Sequence, residues 1–365
     1  MSVFLFLVLA ACLLVLSAPL LKRKRAVSIF DPGMPPERLP AEAPAASPKG
    51  LHLGGALYWS PEAHPNPHVL IVGGSGSGKT WAMRWLAVEL VKRGYRCILF
   101  DFHGDLHAPG TVSYRIAADS QYGVNPLDDP QRFEVLELLR NTFRPMGTLQ
   151  LALLDECLKE TYTRSQPHFG DLLEVLQSHI QKDPGNLRLQ ELRTKLSLAF
   201  DLKIFSKPAV PLFGDGSVHL DLTGLPAALQ FLASDTLLRQ ILRRRQLGGP
   251  LPLSVFVLVD ESKLCTPADR NFPSSGLNRI ATEGRKFGLG LVVSSQFVGH
   301  LGRDVVVNTF TKIVMKTDRT EISATARRFR LEPLVLETLE RPGHALVHFA
   351  DSTRWEEVQL GSRAS

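Results

Sequence analysis

The chain has 365 residues, 44% hydrophobic and 21% charged, which excludes a disordered protein and leaves room for one large or two ordinary domains. The formal charge is +6, but four of the positive charges are Lys22, Arg23, Lys24 and Arg25, so the remainder is nearly neutral and net charge argues little for a nucleic-acid partner. Four scattered cysteines, Cys12, Cys97, Cys157 and Cys265, form no CxxC pair, which argues against a zinc cluster and suits free thiols in a reducing compartment.

In chain order, the first predicted element is a membrane anchor. Val3–Leu16 is an unbroken apolar run that resumes after Ser17-Ala18-Pro19 and reaches Leu21; as a helix it would span roughly 28 Å, close to the hydrocarbon thickness. Only Met1-Ser2 precedes it, so the positive n-region of a cleaved signal is missing. Leu9–Cys12 resembles a lipoprotein cleavage box, but apolar sequence continues beyond it. The basic flank Lys22–Arg25 predicts that the bulk of the chain lies in the cytoplasm, below the inner membrane. Residues 1–25 are thus read as a single-pass anchor. Residues 26–50, with six prolines between Asp31 and Gly50, are read as an extended linker.

A globular core is expected over 51–124 and 249–365. His68–Gly73 and Tyr95–Asp101 read as buried strands around a helix at Lys79–Lys92, a βαβ unit with parallel pairing. Residues 125–248 read as a mainly helical insertion, with apolar spacing of helical period at Phe133–Phe143, Leu149–Thr163, Leu172–Ile180, Leu187–Phe200 and Leu229–Arg245. One strand, Ser217–Leu222, interrupts it. Strands return at Leu253–Val259, Leu289–Val293, Lys312–Lys316 and His344–Phe349.

The chemistry starts at Gly73-Gly74-Ser75-Gly76-Ser77-Gly78-Lys79-Thr80, which fits GxxxxGK[ST] between a strand and a helix. Its backbone N–H groups would curl around the phosphates of ATP, Lys79 would reach the β/γ oxygens, and Thr80 would ligate Mg²⁺. Leu253–Val259 ends in Asp260-Glu261. Asp260 suits the metal through its water shell, and Glu261 suits a base for the attacking water. Asp101, opening Asp101-Phe102-His103-Gly104-Asp105, could support the metal water or Lys79, or simply start a turn. Gln296 closes the strand Leu289–Val293 and would face the γ-phosphate as a sensor. Arg285 precedes that strand and should lie toward the opposite edge. There it could complement a helix C-terminus or reach a neighbouring subunit's nucleotide.

The stretches PHVLIVGGSGSGKT, DFHGD, FVLVDES, EGRKFGLGLVVSSQ and NTFTKIVMK lie in order from Leu51 onward, and together they resemble the HerA/FtsK superfamily of ring-forming motor ATPases. The resemblance implies a P-loop, RecA-like α/β core with a mainly parallel sheet and the helical insertion before the Walker B strand. It implies catalytic roles for Glu261, Gln296 and Arg285, the last acting in trans, and therefore a homo-oligomeric ring, usually a hexamer, with DNA in its pore. Phe102 and Asp105 replace the proline and glutamate common in that group, and Ser262-Lys263 stands where Ala-His is frequent. Two departures from the group are expected: Leu51–Pro67 would be too short for the β-barrel of HerA helicases, and the residues after His344–Phe349 would leave no room for the winged helix of FtsK. A membrane-anchored, conjugation-type DNA translocase is the leading expectation. The rival is an assembly or export ATPase that energises a secretion machine and moves protein. Arg243–Arg245, Arg327-Arg328 and the loop Thr266–Gly276 with Arg270 are candidate pore-facing groups, or plain solvated charge.

Overall fold

A short antiparallel hairpin, β1 (Leu51–Gly54) with β2 (Leu57–Trp59), precedes the main sheet in the computed structural model, which describes residues 50–266 and 275–361. The expected anchor and linker, residues 1–49, and Arg270 lie outside the described residues. Among the described residues no helix is long and apolar enough to cross a membrane.

The main sheet is built from β3 (Val69–Val72), β4 (Arg96–Asp101), β5 (Thr111–Arg115), β6 (Ser217–Asp221), β7 (Leu251–Val259), β8 (Phe287–Ser295), β9 (Thr311–Met315), β10 (His344–Phe349) and β11 (Glu356–Gln359). Their order is β11-β10-β9-β3-β8-β7-β4-β6-β5. Pairing is parallel from β9 through β5, and only β10 and β11 run antiparallel at one edge. As expected, the sheet is mainly parallel. Its central strands each carry an apolar run through the middle because both faces are covered. Leu70, Val72, Ile98, Phe100, Val257 and Val293 enter the core on one side, and their neighbours Val69, Ile71, Cys97, Leu99, Leu258 and Val292 the other. That alternation is the two-residue period of a pleated strand.

On the second face lies α1 (Lys79–Lys92), with Ala82, Met83, Leu86, Ala87 and Leu90 buried together with Trp59 of the hairpin. The first face carries α2 (Arg132–Thr142), α3 (Thr148–Thr161), α4 (Phe169–Lys182), α5 (Leu187–Asp201), α6 (Ala227–Leu247) and α7 (Gly276–Glu283). The short helices α8 (Arg303–Asn308), α9 (Ile322–Phe329) and α10 (Pro333–Glu337) complete the chain. The stretch 125–248 is not one inserted body. β6 sits inside the main sheet between β4 and β5, and α6 shares the sheet's core. The helical insertion narrows to α2–α5.

α6 is where polar groups are buried to fix neighbours. Asp235 accepts from Arg239 Nε at 2.6 Å and from the Gly276 N–H at the start of α7, also at 2.6 Å. Arg239 reaches Glu134 of α2 at 2.6 Å. Arg245, only 1% exposed, donates to the Phe287 carbonyl at 2.9 Å and to Ser254 Oγ at 3.0 Å, which ties the end of α6 to β7 and β8. The basic run Arg243–Arg245 therefore does not offer a continuous solvated or pore-facing patch. Arg327 and Arg328 on α9 are exposed.

Candidate nucleotide site at the strand ends

Parallel strands bring their C-terminal ends to one edge, and β3, β7 and β8 are adjacent there in the order β3-β8-β7. The loop after β3 curls because two of its glycines take left-handed backbone, Gly76 at φ 72° and Gly78 at φ 97°. A Cβ at Gly73 would stand 2.6 Å from Ser77 Oγ, and one at Gly78 would stand 3.0 Å from the Gly343 nitrogen. The loop is thus closed from behind by Pro342-Gly343, and the Gly343 N–H donates to the Ser77 carbonyl at 3.0 Å. α1 starts directly after Gly78 and aims its N-terminus into the loop.

Lys79 is buried and its Nζ donates to the Gly74 carbonyl at 2.9 Å, across the mouth of the loop. Burial lowers its pKa below the ordinary lysine range, while the carboxylates of Asp260 and Glu261 pull the other way. Thr80 Oγ1 donates to Asp260 Oδ2 at 3.0 Å. Because Val259 pairs with Val293, Asp260 falls beside Ser294, whose hydroxyl donates to Asp260 Oδ1 at 2.6 Å. The chain then turns sharply: Glu261 has φ 59° and ψ 69°, a left-handed conformation that a non-glycine residue adopts at a cost of about 1–3 kcal/mol. Its Oε2 accepts from Gln296 Nε2 at 2.8 Å, and its buried Oε1 has no hydrogen-bond partner among the described residues.

The structure therefore brings Gly73–Thr80, Asp260, Glu261 and Gln296 to one place. The Thr80 hydroxyl beside the Asp260 carboxylate is an all-oxygen pair of the kind Mg²⁺ takes. The unpartnered Ser77 hydroxyl and Glu261 Oε1 are buried polar atoms left for a ligand to satisfy. The residues fit a magnesium–nucleotide.

Two expected residues lie elsewhere. Asp101 does not reach toward Lys79 or the metal pair. Its Oδ1 accepts the N–H groups of His103, Gly104 and Asp105 at 3.1, 2.7 and 3.3 Å, and its Oδ2 accepts from Leu106 N and His219 Nε2 at 3.1 and 2.9 Å. Burial would raise its pKa, but the His219 bond and the loop N–H groups outweigh that and hold it down at about 2. Asp101 shapes its own loop. The turn reading fits, and Asp101 does not stand with Lys79 or the Thr80–Asp260 pair, because its oxygens are engaged by its own loop and by His219. Arg285 is exposed in the turn before β8, at the far end from Gln296 of a nine-residue strand roughly 30 Å long. Sequence reasoning gave Ser294 no role. The signal available was register, since a serine opposite Asp260 on the adjacent strand can only face that carboxylate.

A phosphate loop feeding a helix, with an acidic pair one strand removed on a parallel sheet, defines a P-loop nucleotide-binding protein. The family model described as "Helicase HerA, central domain" matches residues 64–209. The DNA double-strand break repair helicase HerA of Sulfolobus acidocaldarius is 25% identical over 277 residues, covering 68% of this chain and 54% of the relative. The chain spans about half the length of the curated relatives it matches. In fold it is similar to VirB4 of Thermoanaerobacter pseudethanolicus, with a TM-score of 0.72 at 17% identity over 87% of this chain and 97% of that one. The plasmid coupling protein TrwB in complex with ADP and Mg²⁺ gives a TM-score of 0.60 at 15% identity over 82% and 86% of the two chains. Over residues 64–209 the chain is thus similar to the central domain of HerA helicases, and its fold is that of VirB4 and TrwB.

Proposed function

We propose that this protein is a Mg²⁺-dependent ATPase motor that translocates DNA through a homo-oligomeric ring, tethered to the inner membrane by its N-terminal segment. The observation that carries the reading is Glu261, held by Gln296 beside the Thr80–Asp260 pair at the mouth of the phosphate loop. Mg²⁺ when bound supplies charge neutralisation across the β- and γ-phosphate oxygens. Thr80 and Asp260 are the residues that would hold it. Lys79 exchanges the Gly74 carbonyl for phosphate oxygens. Glu261 takes the proton of the attacking water, and Gln296, sharing a hydrogen bond with that base, orients it. Arg285 completes the site of a neighbouring subunit, which is why it stands at the opposite edge of its own.

DNA is favoured by the relatives' description as HerA helicases, and the anchor by the apolar run Val3–Leu21 with its basic flank. The test is ATP turnover by the full chain. Glu261→Gln should keep nucleotide binding and lose about 10²–10⁴ in turnover, and long duplex DNA should raise the wild-type rate. Turnover retained in the variant removes Glu261 from the role of base. A rate indifferent to DNA but raised by a secretion partner moves the cargo to protein. Extraction of the full chain from membranes by alkaline carbonate would refute the tether.

A further inference from the structure

Beyond the nucleotide site, one cluster joins three metal-ligating side chains: Asp101, His107 and His219. Their ligand atoms all lie within 4.8 Å of one another, with Asp101 and His219 buried and His107 exposed. We infer that Asp101, His107 and His219 form a second cation site, distinct from the Thr80–Asp260 pair, that takes a first-row divalent metal of the zinc or cobalt class.

Four features of the cluster carry this. The Asp101 carboxylate is locked in place by four backbone N–H groups, so its Oδ2 is presented to His219 in a fixed orientation. His219 Nε2 stands 2.9 Å from that oxygen, slightly inside the ligand-to-ligand edge of about 3.3 Å that two bonds near 2.0 Å make in a tetrahedron. A cation replacing the shared proton needs only a small opening of the pair. The other nitrogen of His219, Nδ1, pairs with Ser113 Oγ at 2.8 Å, the outer-shell hydrogen bond that fixes ring orientation in histidine metal sites. His107 lies over His219 with ring centroids 4.5 Å apart; its exposed ring, whose Nε2 pairs with the Gly104 carbonyl at 3.1 Å, would supply the third ligand and leave a fourth position to solvent.

The donor set decides the metal. Two imidazoles and a carboxylate suit zinc or cobalt, whereas Mg²⁺ prefers oxygen and water. The two sites of the chain thus separate by ligand chemistry, and the second needs no nucleotide. A metal there would pin the loop 102–107, which leaves β4, to β6 through His219 and, by way of Ser113, to β5. It would also place a positive charge beside a buried carboxylate.

The test is Co²⁺ titration of the tag-free, metal-stripped full chain without nucleotide, read by visible d–d absorption, followed by displacement with Zn²⁺. The site predicts one tightly bound cobalt with the intense bands of four-coordination, displaced by Zn²⁺ and untouched by excess Mg²⁺. His107→Ala removes an exposed ligand, so it should fold normally by thermal melting and lose at least ten- to a hundredfold in affinity; Ser113→Ala should lose less. Cobalt binding unchanged in His107→Ala, or only the weak six-coordinate spectrum of scattered surface histidines, overturns the site.

Discussion

His68, the residue just before β3, is fully buried and its Nδ1 accepts the Leu291 N–H of β8 at 3.0 Å. Burial, with the Arg285 charge adding to it, lowers its pKa from 6.5 to about 4, against a smaller opposing pull from the Ala281 and Ile280 carbonyls. The folded protein keeps this histidine neutral while the unfolded chain protonates it, so between pH 6.5 and 4 the unfolded state binds more protons. Stability is fully present above pH 6.5 and falls as the pH drops toward 4, by up to about 1.4 kcal/mol per unit from this group. Asn at position 68 keeps an acceptor for Leu291 and cannot titrate. Denaturant melts of His68→Asn should therefore be weaker at neutral pH yet flatter in this window, and an unchanged slope would show that another group carries the acid sensitivity.

At the scale of elements, the turn into β8 depends on one buried cation. Gly288 has φ 71°, and a Cβ there would stand 2.2 Å from the Pro252 carbonyl and 2.6 Å from Arg245 Nη2. The guanidinium passes where a side chain would be and carries the Phe287 carbonyl. Arg245→Ala leaves the Phe287 carbonyl and Ser254 buried without this donor and opens a cavity. It should cost about 2–4 kcal/mol in urea unfolding, far more than the same change at exposed Arg327. A cost below 1 kcal/mol would mean that water replaces the arginine. Because this clamp sits two residues from Arg285, it also sets where that exposed arginine is presented.

For the whole molecule, the sheet separates two kinds of chemistry. Glu261 and Gln296 stand at the C-terminal edge with the phosphate loop, and Arg285 stands at the other end of the same strand. On the proposed ring reading, a subunit needs its neighbour's arginine. Arg285→Ala alone should lower turnover by about 10³–10⁵. Mixed with Lys79→Ala subunits it should recover activity, because some interfaces then pair an intact loop with an intact arginine. No recovery in rings shown to mix would place Arg285 outside the reaction.

The phosphate loop, the acidic pair, the five helices α2–α6 and most strands were legible in the sequence, because each is written in local spacing: glycines at a turn, a helical period, an apolar run. β5, β11 and the β1–β2 hairpin were not. β5 and β11 are sheet-edge strands whose polar, partly exposed residues carry little pattern, and the hairpin strands, though their leucines and Trp59 are buried, are too short to show a period. The position of β6 inside the main sheet, the Ser294 bond to Asp260, the clamp by Arg245 and the bond of His219 to Asp101 were decided only by tertiary structure. Each joins residues far apart in the chain, and a carboxylate shows its sequence neighbours but not the donors that a neighbouring strand will bring to it.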